Sequence, residues 1–266
     1  MSAHKIEFYK YHGAGNDFII IDQRDSESLI DWTQSIIGKM CDRRFGIGAD
    51  GLMLIDGHEN LDFTMIYFNS DGRESTMCGN GGRCITALAH QLQIFSGMNC
   101  TFMAVDGEHQ AKMIDEETVA LRMIDVPRID QIQSDFILHT GSPHYVKFVE
   151  DVDSIDVYKS GKSIRESEPF KGEGVNVNFV EEVNGVLKIR TYERGVEDET
   201  LACGTGVTAA VLAYADQKMA DLSEGSVDVK ASGGTLSVSF QKNKQGFKNV
   251  WLTGPAKFVF KGTYHL

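Results

Sequence analysis

Hydrophobic and polar positions in the first half of the chain predict strands interrupted by two helices. The runs KIEFYKY and FIIID predict two strands joined by the glycine turn HGAGND. Trp32, Ile36 and Met40 recur every four residues in SLIDWTQSIIGKM, a spacing typical of a helix. GLMLID, DFTMIYFN and TVALRMI predict further strands, and TFMAVDGEHQAKMI predicts a strand pair joined at an Asp-Gly turn. A second helix is predicted after Cys78, with an apolar face of Ile85, Leu88, Ala89 and Leu92.

The second half of the chain repeats this pattern. FILHTGSPHYVKFV again predicts strand, glycine turn and strand, and VDSIDVYKSGKSIRES predicts a polar helix. VNVNFVEEVNGVLKIRTYE predicts a hairpin around Asn184-Gly185. A helix is predicted after Cys203, and the stretches SVDVKASGGTLSVSF and NVWLTGPAKFVFKG predict strands near the end of the chain.

Two motifs recur in the same order in both halves. ESTMCGNG matches ETLACGTG at the glutamate, the cysteine and both glycines, and HGAGNDF lies over TGSPHYV further upstream. Gly13 precedes Cys78 by 78 − 13 = 65 residues, and Gly141 precedes Cys203 by 203 − 141 = 62 residues. The shared order and near-equal spacing indicate an internal duplication.

Composition narrows the choice of partners. With 266 residues and 42% hydrophobic residues, the chain can form two domains with ordinary cores. The formal charge of 26 − 38 = −12, without a basic block, argues against nucleic acid and anionic membranes as partners. The sequence has no 18-residue apolar run and no apolar signal core near its first residues, which predicts a cytoplasmic protein. Five irregularly spaced cysteines predict neither a disulfide framework nor a zinc site.

The repeated cysteines indicate acid and base chemistry on a small acid. A cysteine at a helix start faces unpaired backbone N–H groups and the positive end of the helix dipole, which favours the thiolate. The glycines that follow let a carboxylate approach the same N–H groups. Two such motifs could invert a carbon that bears a hydrogen and a carboxylate, because one thiolate removes the proton and the other thiol delivers one. We therefore predict a small-molecule substrate and no cofactor or metal.

Other interpretations of the cysteines stay open on the residues alone. Cys41 and Cys100 lack any chemical context and Cys84 falls on the helix body, so all three are expected to be packing residues. Taken singly, Cys78 or Cys203 fits a packed thiol as well as a catalytic one, and their repetition favours catalysis. A thiol redox sensor and a non-catalytic amino-acid-binding module are the alternatives from other functional classes.

Seven motifs spread over nearly the whole chain are HGAGNDF, DRRFGIGADG, FNSDG, MCGNGGRC, GSPHYV, GVNVNF and ERGVEDETLACGTG. Because of these motifs and their order, the sequence resembles the diaminopimelate epimerase family. The resemblance implies a cofactor-independent enzyme that interconverts L,L- and meso-diaminopimelate on the lysine and cell-wall route. It implies an α/β fold of the α+β type with two pseudo-symmetric domains, each a mixed, mostly antiparallel sheet around a central helix. The active site would lie in the interdomain cleft. We place the domains at 1–117 with 252–266, and at 118–251, and a homodimer is implied.

The same resemblance assigns roles to individual residues. Cys78 and Cys203 would be the acid and base thiols, and His144 and Glu193 would tune them. The reacting carboxylate would be held by the backbone of Gly79, Asn80, Gly204 and Thr205. The remaining substrate contacts would come from Asn16, Asn69, Asn176, Glu193 and Arg194. Arg194 would hold the distal carboxylate, because its planar fork can bind bidentately.

Two positions depart from the family pattern. Ser142 stands in GSPH where GNPH is frequent, and Gly51 stands where a glutamine often follows G-x-D. Both changes concern contacts to the distal group rather than the thiols. The runner-up is a proline or hydroxyproline racemase of the same fold, which usually carries Asp-Arg-Ser-Pro-Cys-Gly-Thr-Gly where this chain has DETLACGTG.

Overall fold

A computed structural model describes residues 5–24 and 30–266. The chain divides into two compact units, and each unit has its own sheet and central helix. Unit 1 comprises Met1–Leu121 with Pro255–Leu266, and unit 2 comprises Arg122–Gly254.

In the described residues, unit 1 is a mixed, mostly antiparallel sheet of eight strands with two helices. Its strands follow the order β17-β1-β2-β3-β4-β5-β6-β7, in which only β2–β3 and β4–β5 are parallel neighbours. The elements are β1 (Lys5–Gly13), β2 (Asn16–Asp22), α1 (Gln34–Cys41), β3 (Gly51–Asp56), β4 (Phe63–Asn69), α2 (Gly79–Gln91), β5 (Asn99–Ala104), β6 (Gly107–Asp115), β7 (Thr118–Arg122) and β17 (Lys257–His265).

Unit 2 repeats this arrangement. Its strands follow the order β8-β9-β10-β11-β12-β14-β15-β16, with β10–β11 and β12–β14 parallel and β13 added against the end of β12. The elements are β8 (Asp130–Ile132), β9 (Asp135–His139), β10 (Pro143–Phe148), α3 (Val157–Arg165), β11 (Asn176–Val183), β12 (Val186–Glu193), β13 (Asp198–Thr200), α4 (Gly204–Lys218), β14 (Glu224–Ala231), β15 (Gly234–Asn243) and β16 (Gly246–Pro255). The duplicated α/β fold predicted from the sequence is confirmed.

The helices α2 and α4 lie at the centres of their units. Every residue of α2 from Gly79 to Ala89 is buried, and so are ten of the fifteen residues of α4. Small residues let the surrounding backbone come close. A Cβ at Gly13 would lie 3.0 Å from Asn80 O and 3.1 Å from Cys84 Sγ, so the glycine turn after β1 packs directly on α2.

Several predicted boundaries need correction. The helix predicted from Trp32, Ile36 and Met40 begins only at Gln34, because Thr33 caps it by accepting a hydrogen bond from Ile36 N at 3.3 Å. Trp32 therefore lies outside the helix, and residues 28 and 29 of the predicted segment lie outside the described residues. Leu92 is the C-terminal cap of α2 rather than part of its apolar face. Two strands were not predicted, β8 and β13, because three residues are too few to show an alternating pattern.

No helix within residues 5–24 and 30–266 has the length and apolar character needed to cross a bilayer.

Candidate active site

Cys78 occupies the N-cap of α2. Its backbone is extended (φ −96°, ψ 131°), and its carbonyl accepts the first helical hydrogen bond from Gly82 N at 2.7 Å. The side chain is half-buried and makes no capping bond, unlike that of Thr33 at the start of α1. The sulfur therefore stands at the positive end of the helix, beside the N–H groups of the first turn.

Cys203 occupies the same position on α4. Its backbone is again extended (φ −107°, ψ 110°), and its carbonyl accepts the hydrogen bond of Val207 N at 2.8 Å. The residue is 8% exposed. Gly204 follows it as Gly79 follows Cys78, so the two helix starts have the same backbone construction.

A chain of amide side chains leads away from the start of α2. Arg83 Nη2 donates to Asn80 Oδ1 at 2.8 Å, and Asn80 Nδ2 donates to Asn16 Oδ1 at 2.6 Å. Asn16 Nδ2 in turn donates to Asp50 Oδ2 at 3.0 Å. The structure thus brings Asn16 and Asn80 together with Cys78, and it orients both amides between a buried guanidinium and a carboxylate.

The chain ends in a cluster of four charged residues. Arg43 contacts both Asp17 and Asp50 at 2.6 Å, and Lys10 contacts Asp17 at 2.7 Å. Burial acts to raise the pKa of Asp17, but the hydrogen bonds and charges of Arg43 and Lys10 outweigh it and hold that pKa at about 2. Asp50 accepts hydrogen bonds from Arg43 and Asn16 together, which fixes the far end of the amide chain.

Asn69 lies at the end of β4, where it pairs with Gly51 on β3, and Gly51 in turn pairs with Phe18 on β2. Its side chain is exposed, and its backbone N–H and C=O close the turn to Arg73 and Gly72. Asn69 and Asn16 therefore lie at one end of β4 and β2.

In unit 2 a chain of hydroxyl groups reaches Cys203. Cys203 Sγ lies 3.4 Å from Thr205 Oγ1, which lies 3.2 Å from Ser142 Oγ. Ser142 Oγ lies 2.9 Å from His144 Nε2. The predicted thiol-tuning residue His144 is thus joined to Cys203 through two hydroxyls.

The direction of these hydrogen bonds follows from Asn178. Its Nδ2 donates to the Tyr145 carbonyl at 3.0 Å, so the same nitrogen donates to His144 Nδ1 at 3.1 Å. His144 Nδ1 is then an acceptor, and its Nε2–H donates to Ser142. Ser142 also accepts from Asn176 Nδ2 at 3.0 Å, so its own hydrogen points to Thr205. The Thr205 hydroxyl is then free to donate to Cys203 Sγ, and such a bond would favour the thiolate form of that sulfur.

Burial shifts the pKa of both predicted tuning residues. Burial is the main cause that lowers the pKa of His144 to about 3, and the charges of His139 and Arg194 add to it, so its imidazole is neutral at pH 7. Burial also raises the pKa of the Glu193 carboxyl, against a hydrogen bond from Thr200 Oγ1 at 2.8 Å. Glu193 is held against β13 by that bond.

Asn176 connects this network to Arg194. Its Oδ1 accepts the Arg194 backbone N–H at 2.8 Å, and its Nδ2 also donates to the Pro143 carbonyl at 3.1 Å. The Arg194 side chain is exposed, with Nη1 donating to the Glu173 carbonyl at 3.0 Å. One terminal nitrogen of the guanidinium, Nη1, is thus held by a backbone carbonyl of the protein.

The two departures from the family pattern have structural explanations. The expectation that the Ser142 change concerns the distal group rather than the thiols needs correction, because Ser142 links His144 to Thr205, which contacts Cys203 Sγ. A Cβ at Gly51 would lie 2.6 Å from both Phe68 O and Tyr67 Cε2, so the fold of this chain leaves no room there for a larger side chain.

The three other cysteines are packing residues, as expected. Burial raises the pKa of Cys41 to about 11 and that of Cys84 to about 12, and it also raises the pKa of Cys100. These thiols remain protonated at neutral pH. No group of three or more His, Cys, Asp or Glu side chains that could hold a metal ion occurs in the described part of the chain.

Three residues of these networks were not predicted from the sequence: Arg83, Asp50 and Asn178. Arg83 stands among small and apolar residues in CGNGGRCITALA, and this arrangement was a usable signal that a charge is buried on the helix. Asn178 follows Asn176 by two residues, which places both on one face of β11. The position of Asp50 beside Asn16 depends on the pairing of β2 with β3 and has no local signal.

The diaminopimelate epimerase family model matches residues 8–128 and 136–259. The chain belongs to this family. It is 44% identical to a diaminopimelate epimerase of Flavobacterium psychrophilum, covering 97% of this chain and all of that protein. Identity to the Chlorobaculum tepidum epimerase is 42%, over 96% of this chain and 99% of the relative. The Aquifex aeolicus epimerase is 38% identical, with 97% of each chain covered.

Solved structures extend the likeness of fold to other enzymes. A PhzF-family phenazine biosynthesis protein of Bacillus anthracis superposes with a TM-score of 0.78 at 14% identity, covering 98% of this chain and 99% of that one. A hydroxyproline epimerase of Agrobacterium vitis gives 0.69 at 14% identity, covering 98% and 93%. At these identities the likeness concerns the fold alone, and the racemase alternative gains no support beyond it.

Proposed function

We propose that this protein interconverts L,L- and meso-diaminopimelate without a cofactor, with Cys78 and Cys203 as the two acid and base groups. Family membership supports the substrate and its place in lysine and cell-wall precursor synthesis. The observation that carries the chemical assignment is the duplicated helix start, with a cysteine N-cap of the same geometry in each unit.

The reaction needs one proton to leave the Cα and another to arrive on its opposite face. One cysteine acts as thiolate, takes the Cα proton and becomes a thiol. The other acts as thiol, donates its proton to the carbanion and becomes a thiolate, so charge and protons balance. A thiol suits both roles, because its pKa can be set near the operating pH.

The helix starts also suit the carboxylate on the reacting carbon. Its negative charge grows in the carbanion, and N–H groups at Gly79, Asn80, Gly204 and Thr205 would stabilise that charge. Asn16, Asn69, Asn176 and Glu193 would hold the amino and distal groups. Arg194 would bind the distal carboxylate with the part of its fork that faces solvent.

The test is incubation with meso-diaminopimelate in D2O without added pyridoxal phosphate or metal. We expect L,L-diaminopimelate to form and deuterium to enter at Cα of the product. Cys78→Ser and Cys203→Ser proteins serve as matched controls, and proline and hydroxyproline serve as alternative substrates. Binding of diaminopimelate without exchange would indicate a binding module, and turnover of proline in its place would indicate the racemase alternative.

We further propose a cytoplasmic homodimer. The cytoplasm keeps thiols such as Cys78 reduced. In unit 1, strand β17 pairs with β1 and exposes three consecutive apolar residues, Phe258, Val259 and Phe260, by 46%, 50% and 44%. A second copy of the chain would cover them. Sedimentation of the wild type and of Phe258→Asp/Phe260→Lys tests this, and a monomeric wild type at micromolar concentration would contradict it.

A further inference from the structure

Arg83 is a fully buried cation beside the start of α2. None of its surface is exposed, and its side chain turns back toward the first turn of its own helix. Nη1 donates to the Gly79 carbonyl at 3.2 Å, Nη2 to Asn80 Oδ1 at 2.8 Å and Nε to the Pro255 carbonyl at 3.4 Å. All three acceptors are neutral oxygens.

A buried guanidinium needs a negative charge nearby. Arginine keeps its proton in proteins, and an uncompensated buried charge is strongly unfavourable. Burial lowers the pKa of Arg83, while negative charge on Cys84 or on Cys78 raises it. Among the described residues, no aspartate or glutamate forms an ion pair with Arg83. Its nearest carboxylate along the hydrogen-bond chain, Asp50, is two amides away and already contacts Arg43.

Of the two sulfurs, Cys78 is the one suited to carry that charge. Cys84 is fully buried, and desolvation raises the pKa of its thiol to about 12. Cys78 is half-buried and stands at the positive end of the helix dipole.

We propose that Arg83 is the internal counter-charge of a Cys78 thiolate and therefore a positioning residue for the base in unit 1. The inference rests on the proposed function only for its catalytic consequence. The hydrogen bond of Arg83 to Asn80, whose own amide is held by Asn16, fixes the orientation of the guanidinium before substrate binds. Thr208, at the matching position of α4, is neutral and donates to Gly204 O at 2.9 Å. Only the thiol of unit 1 has a buried cation on its own helix.

Other titratable groups near α2 differ from Arg83 in the sign of their charge or in their position. Asp106 accepts the Met77 N–H at 3.4 Å and pairs with His109, so its negative charge opposes a thiolate at Cys78. The strands packed against α2 are β1, β2, β3, β6 and β17. Their other titratable residues are Lys5, Glu7, Tyr9, Lys10, Tyr11 and His12 on β1, Asp17 and Asp22 on β2, Asp56 on β3, Glu108, Lys112 and Asp115 on β6, and Lys257, Lys261, Tyr264 and His265 on β17. Arg43 and Asp50 lie outside these strands and join Lys10 and Asp17 in the charged cluster. None of them is a cation buried on the helix itself.

The test measures the pH dependence of Cys78 alkylation by iodoacetamide, with peptide mass spectrometry to count modification at each cysteine. In the wild type we expect the midpoint for Cys78 to lie below the ordinary thiol value of about 8.5. Arg83→Met and Arg83→Gln should raise it by about one pH unit or more, and Arg83→Lys should restore most of the shift. Thr208→Val is the matched control and should leave the Cys78 midpoint unchanged.

A wild-type midpoint at or above 8.5, or an unchanged midpoint in folded Arg83→Gln, would overturn the inference. If the neutral variants do not fold, a wild-type midpoint at or above 8.5 still overturns the inference, and a Cys78 midpoint in Arg83→Lys that equals that of the wild type supports it. Alkylation needs no substrate, so the result separates this inference from the proposed function. A lowered Cys78 midpoint in a protein without epimerase activity would contradict only the proposed function.

Discussion

The starts of α2 and α4 share a backbone and differ in the polar groups around it. Both begin with a cysteine N-cap whose carbonyl accepts the N–H of the fourth following residue. Around Cys78 the structure places a buried guanidinium and two amides, whereas around Cys203 it places hydroxyls and a neutral imidazole. The duplicated fold determines where each thiol lies. In the proposed mechanism, the side chains determine how the negative charge of each thiolate is stabilised, by a cation in unit 1 and by neutral donors in unit 2.

The largest expected effect tests whether both helix starts are needed. Cys78→Ser and Cys203→Ser should each lower epimerisation about a thousandfold or more, because a serine hydroxyl is too weak an acid to serve as both acid and base near neutral pH. Initial rates in both directions measure it, with Cys41→Ala as a control for loss of a packing thiol. Near-normal turnover in either serine variant would show that the cysteine at that helix start is not required.

The next largest effect concerns Arg194, whose guanidinium is exposed, whereas that of Arg83 is buried. Arg194→Met should lower kcat/KM for diaminopimelate by roughly 10- to 150-fold, because it removes a charge-assisted contact to the distal carboxylate that contributes about 1.5–3 kcal/mol. Alkylation of Cys78 and Cys203 should not change. Steady-state kinetics check this, with exposed Arg128→Met as the matched variant. Unchanged kinetic constants would show that another cation binds the distal group.

The buried imidazole gives unit 2 a pH dependence of its own. The folded-state pKa of His144, about 3, lies below its ordinary value of 6.5. Its contribution to the free energy of unfolding is therefore complete above about pH 6.5 and is lost as the pH falls toward 3. At pH 5 the loss should be about 2 kcal/mol. Urea unfolding at pH 7.5 and pH 5 measures it, with Trp251 reporting on unit 2 in a Trp32→Phe background. His144→Gln should lack this loss, and an equal loss in both proteins would contradict the assignment.

The smallest effect concerns the hydroxyl link. Ser142→Ala removes the connection between His144 and Thr205, and a hydrogen bond of this kind contributes about 0.5–1.5 kcal/mol. Cys203 alkylation at pH 7 should therefore slow by up to about tenfold, while Cys78 alkylation stays the same. Ser226→Ala, at an exposed serine in unit 2, is the control. Equal slowing at both cysteines would show that the two networks are not separate.

Features that depend on neighbouring residues in the sequence were predictable. The Asn184-Gly185 hairpin forms with φ of 53° and 80°, as that dipeptide favours, and both cysteines begin their helices. The polar networks were not predictable, because they depend on which side chains neighbouring strands bring together. Asn178 contacts His144 only through the parallel register of β10 and β11, and nothing local in VNVNF states that register.

The pairing of β17 with β1 has a consequence for biosynthesis. Unit 2 is one continuous stretch of chain, so it can fold as it leaves the ribosome. Unit 1 is interrupted by unit 2, and the strand that covers β1 is synthesised after all of unit 2. Until residues 257–265 emerge, the nascent chain carries β1 with an unpaired edge that other polypeptides can join. Synthesis of unit 2 is therefore complete before synthesis of unit 1.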